Sequence, residues 1–470
     1  MKPLDHSVLN QLLWIFGIWV FMNPILWGQQ YDPIVRHGTV IDGTAPNRLT
    51  ANITIREGHN LRDRGEEEPA LPTRTSEKTD PKAFSNFEPT MHEFLRQHRI
   101  PGAAVAVTDN GKLMYSAGFG YSDLSNQQPV EPDSLFRIAS VSKPITAVAI
   151  LQLVEKGHIN LRDRVFLKLN LINTNDQSTP EGLTEITVEQ VLQHRGGWDR
   201  NQSFDPMFQS VRFANQLGIT SPADAQDVIR AMLSQDLDFK PGNRYAYSNF
   251  GYCLLGRLIE AVTDQTYEQY VQTHVLKPLD IHSMRIGRTH LDQRFANEVR
   301  YYHPHSADSV FSDSIGQKVP SQYGGWYLEA MDSHGGWIAS AEDLAKFAAA
   351  FDDPENCPIL RKESIEKMHG RPEGSAGYEE DGRPKNVYYS LGWSNRILSN
   401  QRANRWHSGS LPGTTSIMIR RHDGKNFIGL LNTRVTPTDK KLGLELDRLL
   451  HKMVDAAPAW NMPAWNMPAP

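Results

Sequence analysis

Ser140-Val141-Ser142-Lys143 constrains this chain more than any other segment. It sets a hydroxyl and an amine three residues apart at the head of an apolar run, Pro144-Ile-Thr-Ala-Val-Ala-Ile-Leu-Gln-Leu-Val154, which reads as a helix. Residues i and i+3 share a helix face, so Lys143 can reach the Ser140 oxygen without help from a distant segment. The helix start adds unpaired backbone N–H groups and the positive end of the helix dipole, both favouring a developing anion. Pro144 is tolerated there because few intrahelical bonds are lost in the first turn. Alone, an S-x-x-K pattern reads better as a helix cap preceding a surface lysine. The downstream residues decide between the two.

Two further segments lie C-terminal to this one in a fixed order. Lys240-Pro-Gly-Asn-Arg-Tyr-Ala-Tyr247-Ser248-Asn249 carries a Y-x-N element, and Trp406-His407-Ser408-Gly409-Ser410 carries an H-x-G element. A nucleophilic Ser with Lys, then Y-x-N, then a late H/K-x-G strand resembles the serine β-lactamase and D-alanyl-D-alanine carboxypeptidase superfamily, in its class C-like, penicillin-binding and esterase branch. Connecting segments agree. Ser134-Leu-Phe-Arg-Ile-Ala-Ser140 resembles the family's approach to the nucleophile, Ile186–Gly197 its "LLTHTSG" helix end, and Gly335–Leu344 its "GGLxSTxxDL" turn. Arg195-Gly196 departs from the usual Thr-Ser, which points to an altered site entrance. The likeness spans roughly residues 90–450.

The resemblance implies an α/β, three-layer β-lactamase/DD-peptidase-like fold: a mainly antiparallel sheet flanked by helices, with an inserted helical subdomain carrying Tyr247. It implies Ser140 as nucleophile, with Lys143 and Tyr247 as catalytic partners. Free serine is a poor nucleophile and needs its proton removed during attack. A lysine of ordinary pKa, about 10.4, is charged at neutral pH, so Lys143 serves as base only where burial lowers that value. The Tyr247 phenolate, favoured beside Lys143, is the other candidate base, and the two are expected to act as one coupled unit. Asn249 is implied to contact the substrate amide and hold the lysine. Gly409 is read as letting the strand approach the substrate closely. The backbone N–H groups of Ser140 and Ser410 are implied to form the oxyanion hole.

The third motif begins with His407 where carboxylate-recognising relatives commonly have lysine. With a reference pKa of about 6.5, an imidazole is mostly neutral above pH 7. Less positive charge then faces a substrate carboxylate, and an esterase or D-aminoacyl peptidase with weak β-lactamase activity is expected. The alternatives are a penicillin-binding carboxypeptidase or transpeptidase, a true β-lactamase, or a non-catalytic scaffold that keeps the fold.

The rest of the 470 residues bounds these readings. A net charge of −5 without a long basic run gives no reason to propose a nucleic-acid partner; a small-molecule or peptide substrate is expected. Two cysteines, Cys253 and Cys357, are too few for a disulfide framework. His303-Pro-His305 lacks neighbouring carboxylates or cysteines, and neither a metal nor a cofactor is expected. Trp198, Trp326 and Trp337 each come after a Gly-Gly pair and are candidates for pocket lining or for ordinary packing. Residues 1–28 contain an apolar block, Leu12–Met22, of signal-peptide length, so export to the periplasm or outside the cell is expected, with an uncleaved anchor as the other reading. Residues 29–57 read as a short β-rich segment resembling the opening of D-aminoacylase-type amidohydrolases, but without that family's metal-binding H-x-H. Residues 58–89 read as a polar linker, 90–455 as the hydrolase domain, and 456–470, with a tandem Ala-Trp-Asn-Met-Pro, as a disordered tail.

Overall fold

The computed structural model describes the backbone of residues 34–40, 49–56 and 59–62, and residues 71–457 apart from 78, 80–82 and 173–179. The expected signal peptide and the tandem repeat lie outside the described residues. Two compact units divide between Ala70 and Leu71. In the first, β1 (Ile34–Val40), β2 (Leu49–Arg56) and β3 (His59–Arg62) form an antiparallel sheet in that order; strands were expected over residues 29–57, and β3 lies beyond them in the stretch read as polar linker.

The second unit is built on one large antiparallel sheet. Its strands are β4 (Thr73–Thr75), β5 (Gly102–Asp109), β6 (Lys112–Asp123), β7 (Gln128–Pro129), β8 (Val387–Tyr389), β9 (Ser394–Ile397), β10 (Ala403–Leu411), β11 (Thr414–Arg420) and β12 (Lys425–Leu431). They lie in the order β8-β9-β10-β11-β12-β5-β6-β4, with β7 paired to β6. Asn110 and Gly111, at φ 47° and 82°, make the tight turn between β5 and β6 that Asn-Gly predicts. The N- and C-terminal strands meet through β12 and β5, so the sheet closes only when both ends of the domain are present.

Period-two alternation divides the central strands between two cores. On one face Val105, Val107, Ile419 and Phe427 pack beneath α1 (Phe87–His98) and a C-terminal helix, Gly443–Asp455. On the other, Ala104, Ala106, Met418 and Ile428 pack against α2 (Ser142–Glu155), α3 (Asn249–Thr263) and α4 (Ala341–Ala349). Helix α2 has no polar face: every residue from Ser142 to Leu153 is buried, as a helix apolar all round requires. The helical insertion around α3 shares this core through Trp198, Phe213, Val228 and Phe250. The three-layer α/β arrangement is the one the motifs imply.

Further elements fall inside the stretch read as polar linker: strand β4 and the first turn of α1. Thr73-Arg-Thr75 is too short and too polar to show alternation, yet it pairs with Phe119, Gly118 and Ala117 of β6. Pro89 reads as a helix breaker but sits in the first turn of α1, where its missing N–H costs little.

Candidate active site

Ser140 sits in a single 3₁₀ turn, Ala139–Val141, that leads directly into α2. Ala139 adopts φ 46°, a left-handed conformation uncommon for a residue with a Cβ, and this sharp turn raises Ser140 out of the core. Three neighbours hold the turn. Ile138 N–H donates to Trp337 O at 3.0 Å, Ser416 Oγ donates to Ile138 O at 2.6 Å, and Thr414 Oγ1 donates to Arg137 O at 2.7 Å. Ser142 is wholly buried and donates to Ala139 O at 2.7 Å, which leaves Ser140 as the serine of the pair that lines a cavity.

Lys143 is fully buried, and its Nζ donates to three acceptors. They are Asn249 Oδ1 at 2.8 Å, His334 O at 2.8 Å and Ser140 Oγ at 3.2 Å. Burial holds its pKa well below the ordinary lysine value of 10.5, opposed by the Asp205 charge. The sequence reading required that condition for Lys143 to act as a base. Asn249 in turn donates from Nδ2 to Asp205 Oδ2 at 2.7 Å. With a carboxylate on one side and an amine on the other, the amide has only one satisfactory orientation. Asp205 was not found from sequence. Its only local signal is the Asp-Pro that opens a 3₁₀ turn, where its side chain accepts from Met207 N–H.

Tyr247 hydrogen-bonds Ser140, while its ring lies 4.8 Å beneath Lys143 Nζ and 4.3 Å from the His194 ring. Its loop is clasped by His194, whose carbonyl accepts from Ala246 N–H at 2.9 Å and whose Nδ1 accepts from Ser248 N–H at 3.2 Å. Burial raises the Tyr247 hydroxyl pKa above its ordinary value of 10.0, and the Ser140 hydrogen bond only partly opposes this. The expected preference for the phenolate is therefore not met: the cost of desolvating the phenolate outweighs the Ser140 hydrogen bond that favours it. The phenol keeps its proton and its hydrogen bond to Ser140. Arg195 does not shape the entrance. Its Nε and Nη2 donate to Gly242 O at 3.1 and 2.5 Å, tying the Pro241-Gly242 turn that leads into Tyr247.

The third motif lies on β10. His407 is buried, donates from Nδ1 to Ser408 O at 2.8 Å, and accepts at Nε2 from the Tyr389 hydroxyl at 2.9 Å. Burial, then the Lys143 charge, pushes its pKa down to about 3, so the ring is neutral. Among the described residues no carboxylate partners it. Gly409 is required by its protein neighbours. A Cβ there would stand 2.2 Å from Ile138 O and 2.3 Å from Ser416 Oγ, so the glycine lets β10 pack against the turn that carries Ser140. Ser410 is exposed at the end of β10 and shares a cavity with Ser140, where their backbone N–H groups can face one developing oxyanion.

That cavity, about 360 Å³, is also lined by Asn249, Arg200, Trp326, His334, Leu411 and Arg434. Of the three tryptophans only Trp326 lines it. Trp198 packs edge-on to Phe250 and Trp337 donates to the Tyr267 hydroxyl at 2.9 Å, both within the core. His305 pairs with Asp439 at 2.6 Å, and among the described residues no His, Cys, Asp or Glu group could hold a metal ion. Cys253 is buried and its thiol is pushed up to about 12, which leaves it inert at neutral pH. Like Asp205, the cavity-lining Arg200 and Arg434 were not found from sequence. Each lies in a loop without periodicity, far in sequence from Ser140.

Fold and site define a protein of the serine penicillin-recognising architecture, with the Ser-Lys, Tyr and His-x-Gly elements brought together between sheet and helical insertion. The β-lactamase family model matches residues 87–452, and the chain belongs to that family. It is 27% identical to Protein flp of Staphylococcus aureus (strain MW2) over 350 residues, 74% of this chain and 62% of that protein. The chain therefore matches less than two thirds of that relative's length. Among solved structures, an octameric penicillin-binding protein homologue from Pyrococcus abyssi superposes with a TM-score of 0.60 at 23% identity, covering 79% of this chain and 78% of that one. The D-amino acid amidase from Ochrobactrum anthropi SV3 superposes at 0.60 and 20% identity, covering 81% and 99%. At these identities the two structures establish the fold alone.

Proposed function

We propose that the protein is a serine hydrolase that opens ester or amide carbonyls through a Ser140 acyl-enzyme, acting as an esterase or D-aminoacyl peptidase with weak β-lactamase activity. The observation that carries this reading is the desolvated Lys143 amine 3.2 Å from Ser140 Oγ. Ser140 Oγ attacks the carbonyl carbon and its proton passes to Lys143 Nζ, directly or through the Tyr247 hydroxyl. The carbonyl oxygen becomes an oxyanion facing the Ser140 and Ser410 N–H groups. Collapse breaks the bond to the leaving group, which takes the proton. Water then attacks the acyl-enzyme with its proton received by the same base, and Ser140 is released. The neutral His407 favours substrates without a carboxylate on its side of the site. The amidase likeness favours substrates of D configuration. No cofactor enters this scheme.

The test is covalent labelling with a fluorophosphonate probe. Ser140→Ala should abolish labelling in a folded protein and Ser142→Ala should retain it; the reverse would overturn the assignment. We propose in addition that the chain is exported through its N-terminal apolar block, as an enzyme of small-molecule or peptide substrates. N-terminal sequencing of protein from the extracytoplasmic fraction, expected to begin near Gln29, tests this.

A further inference from the structure

His334 lines the cavity beside Ser140 although only 2% of the residue is exposed. Its backbone carbonyl accepts from Lys143 Nζ at 2.8 Å. The next residue, Gly335, lies against the nucleophile turn, since a Cβ on it would stand 3.8 Å from Ala139 C. His334 therefore sits on the Lys143 flank of the serine. Among the described residues neither ring nitrogen has a hydrogen-bond partner. Nε2 is closed off from solvent, which leaves Nδ1 as the nitrogen that can meet the cavity.

Buried polar groups are nearly always paired, so an orphan imidazole at the edge of a cavity calls for a partner inside it. The ring also differs in kind from the polar groups around it. Arg200, Arg434 and Trp326 can only donate. Asn249 is committed at both ends, to Lys143 and to Asp205, and Ser321 Oγ donates to His305 O at 2.7 Å. Burial, then the Lys143 and Arg257 charges, hold the imidazole pKa well below 6.5, so one ring nitrogen keeps an open lone pair at neutral pH. Among the described residues no other side chain lining the cavity offers a nitrogen lone pair.

The hydrolase scheme has a place for such an acceptor in its second half. The water that releases the acyl group carries two O–H bonds and must present its oxygen to the acyl carbon. We infer that His334 Nδ1 accepts from one O–H of this water and so orients it, while the other O–H faces Lys143. As the water oxygen bonds to the acyl carbon, the second proton passes to Lys143 Nζ, and from there to Ser140 Oγ as the ester C–O bond breaks. The first hydrogen stays on the product acid, still donated to His334. This role deepens the hydrolase reading and rests on it.

Turnover of p-nitrophenyl acetate in aqueous methanol tests it. Methanol has a single O–H, which it can offer to Lys143, and none left for His334. The readouts are the product ratio of methyl acetate to acetate and the rate of Ser140 labelling by a fluorophosphonate, a step that needs no water. His334→Leu and His334→Ala leave the backbone carbonyl, and with it the Lys143 hydrogen bond, in place. Either serves, provided its circular dichroism matches wild type. The ratio should rise roughly 10- to 100-fold, the range set by one hydrogen bond lost in the transition state, with labelling little changed. His334→Gln, whose side-chain carbonyl can accept, should bring the ratio back toward wild type. A ratio that the leucine or alanine variant leaves unmoved, or labelling that falls as far as hydrolysis does, overturns the role. A wild type that neither hydrolyses the ester nor labels at Ser140 overturns the hydrolase reading instead.

Discussion

Asn249 Nδ2 donates to Asp205 Oδ2 at 2.7 Å, and this contact decides which end of the amide Lys143 meets. Asp205→Asn removes the preference, because an amide can present either a donor or an acceptor to its neighbour. Misplacing one member of such a site by about 1 Å can cost roughly 100-fold, so kcat should fall by about 10- to 100-fold. The Asp205 charge also raises the Lys143 pKa against burial. Removing it should move the acidic limb of the kcat/KM profile to lower pH. A drop in rate with an unmoved limb would assign Asp205 to packing alone.

The pH dependence of the wild type rests on the Lys143 and Tyr247 pair. A neutral Lys143 is the active form, and its pKa is held well below 10.5, so kcat/KM should rise with pH and level off on the acidic side of ordinary lysine titration. Tyr247 must keep its proton, and burial raises its pKa above 10.0, so no alkaline fall should appear before pH 10. A rising limb centred at the ordinary lysine value would show that Lys143 is solvated in the working enzyme.

Gly409→Ala tests how closely β10 meets the nucleophile turn. The added methyl meets Ile138 O at 2.2 Å, a backbone atom that cannot move without shifting Ser140. Overpacking of this kind costs about 1–3 kcal/mol. Denaturant unfolding should show that loss, together with at least tenfold slower acylation by a fluorophosphonate. Unchanged stability and labelling would mean that the strand yields freely.

Acid should unfold the protein earlier than its carboxylates alone require. His194, His334, His369 and His407 are all held neutral by burial, His407 down to about 3. In the unfolded chain they take up protons near pH 6.5, so the unfolded state binds more protons and stability rises with pH through this window. The contribution is complete above about pH 6.5 and is lost as pH falls toward the folded-state values, at about 1.4 kcal/mol per pH unit for each histidine. Urea midpoints between pH 7 and pH 5 should show this slope, and His407→Gln should reduce it by one proton. A flat profile would refute it.

Much of the site was legible because its chemistry is local. Ser140 and Lys143 are one helical turn apart, Tyr247 and Asn249 are two residues apart, and His407 and Gly409 share one face of a strand. Less was legible where the partner is remote. Asp205 reaches Asn249 across 44 residues, and no periodicity marks either the carboxylate or the loop that carries it. Gly409 was legible as necessary, but its reason lay in Ile138, 271 positions earlier in the chain.

The fold class, the order of the three motifs and the identity of the groups that meet at Ser140 were all written in the chain, because helical and strand periods and short spacings are local properties. The charge states were settled by packing. The Lys143 pKa is lowered, and Tyr247 and His407 are kept neutral, because each is desolvated by residues from several segments. Packing also set where positive charge enters the cavity: Arg200 and Arg434 come together only through the closed sheet and its loops. Burial and long-range Coulomb interaction depend on distances that no run of residues encodes locally.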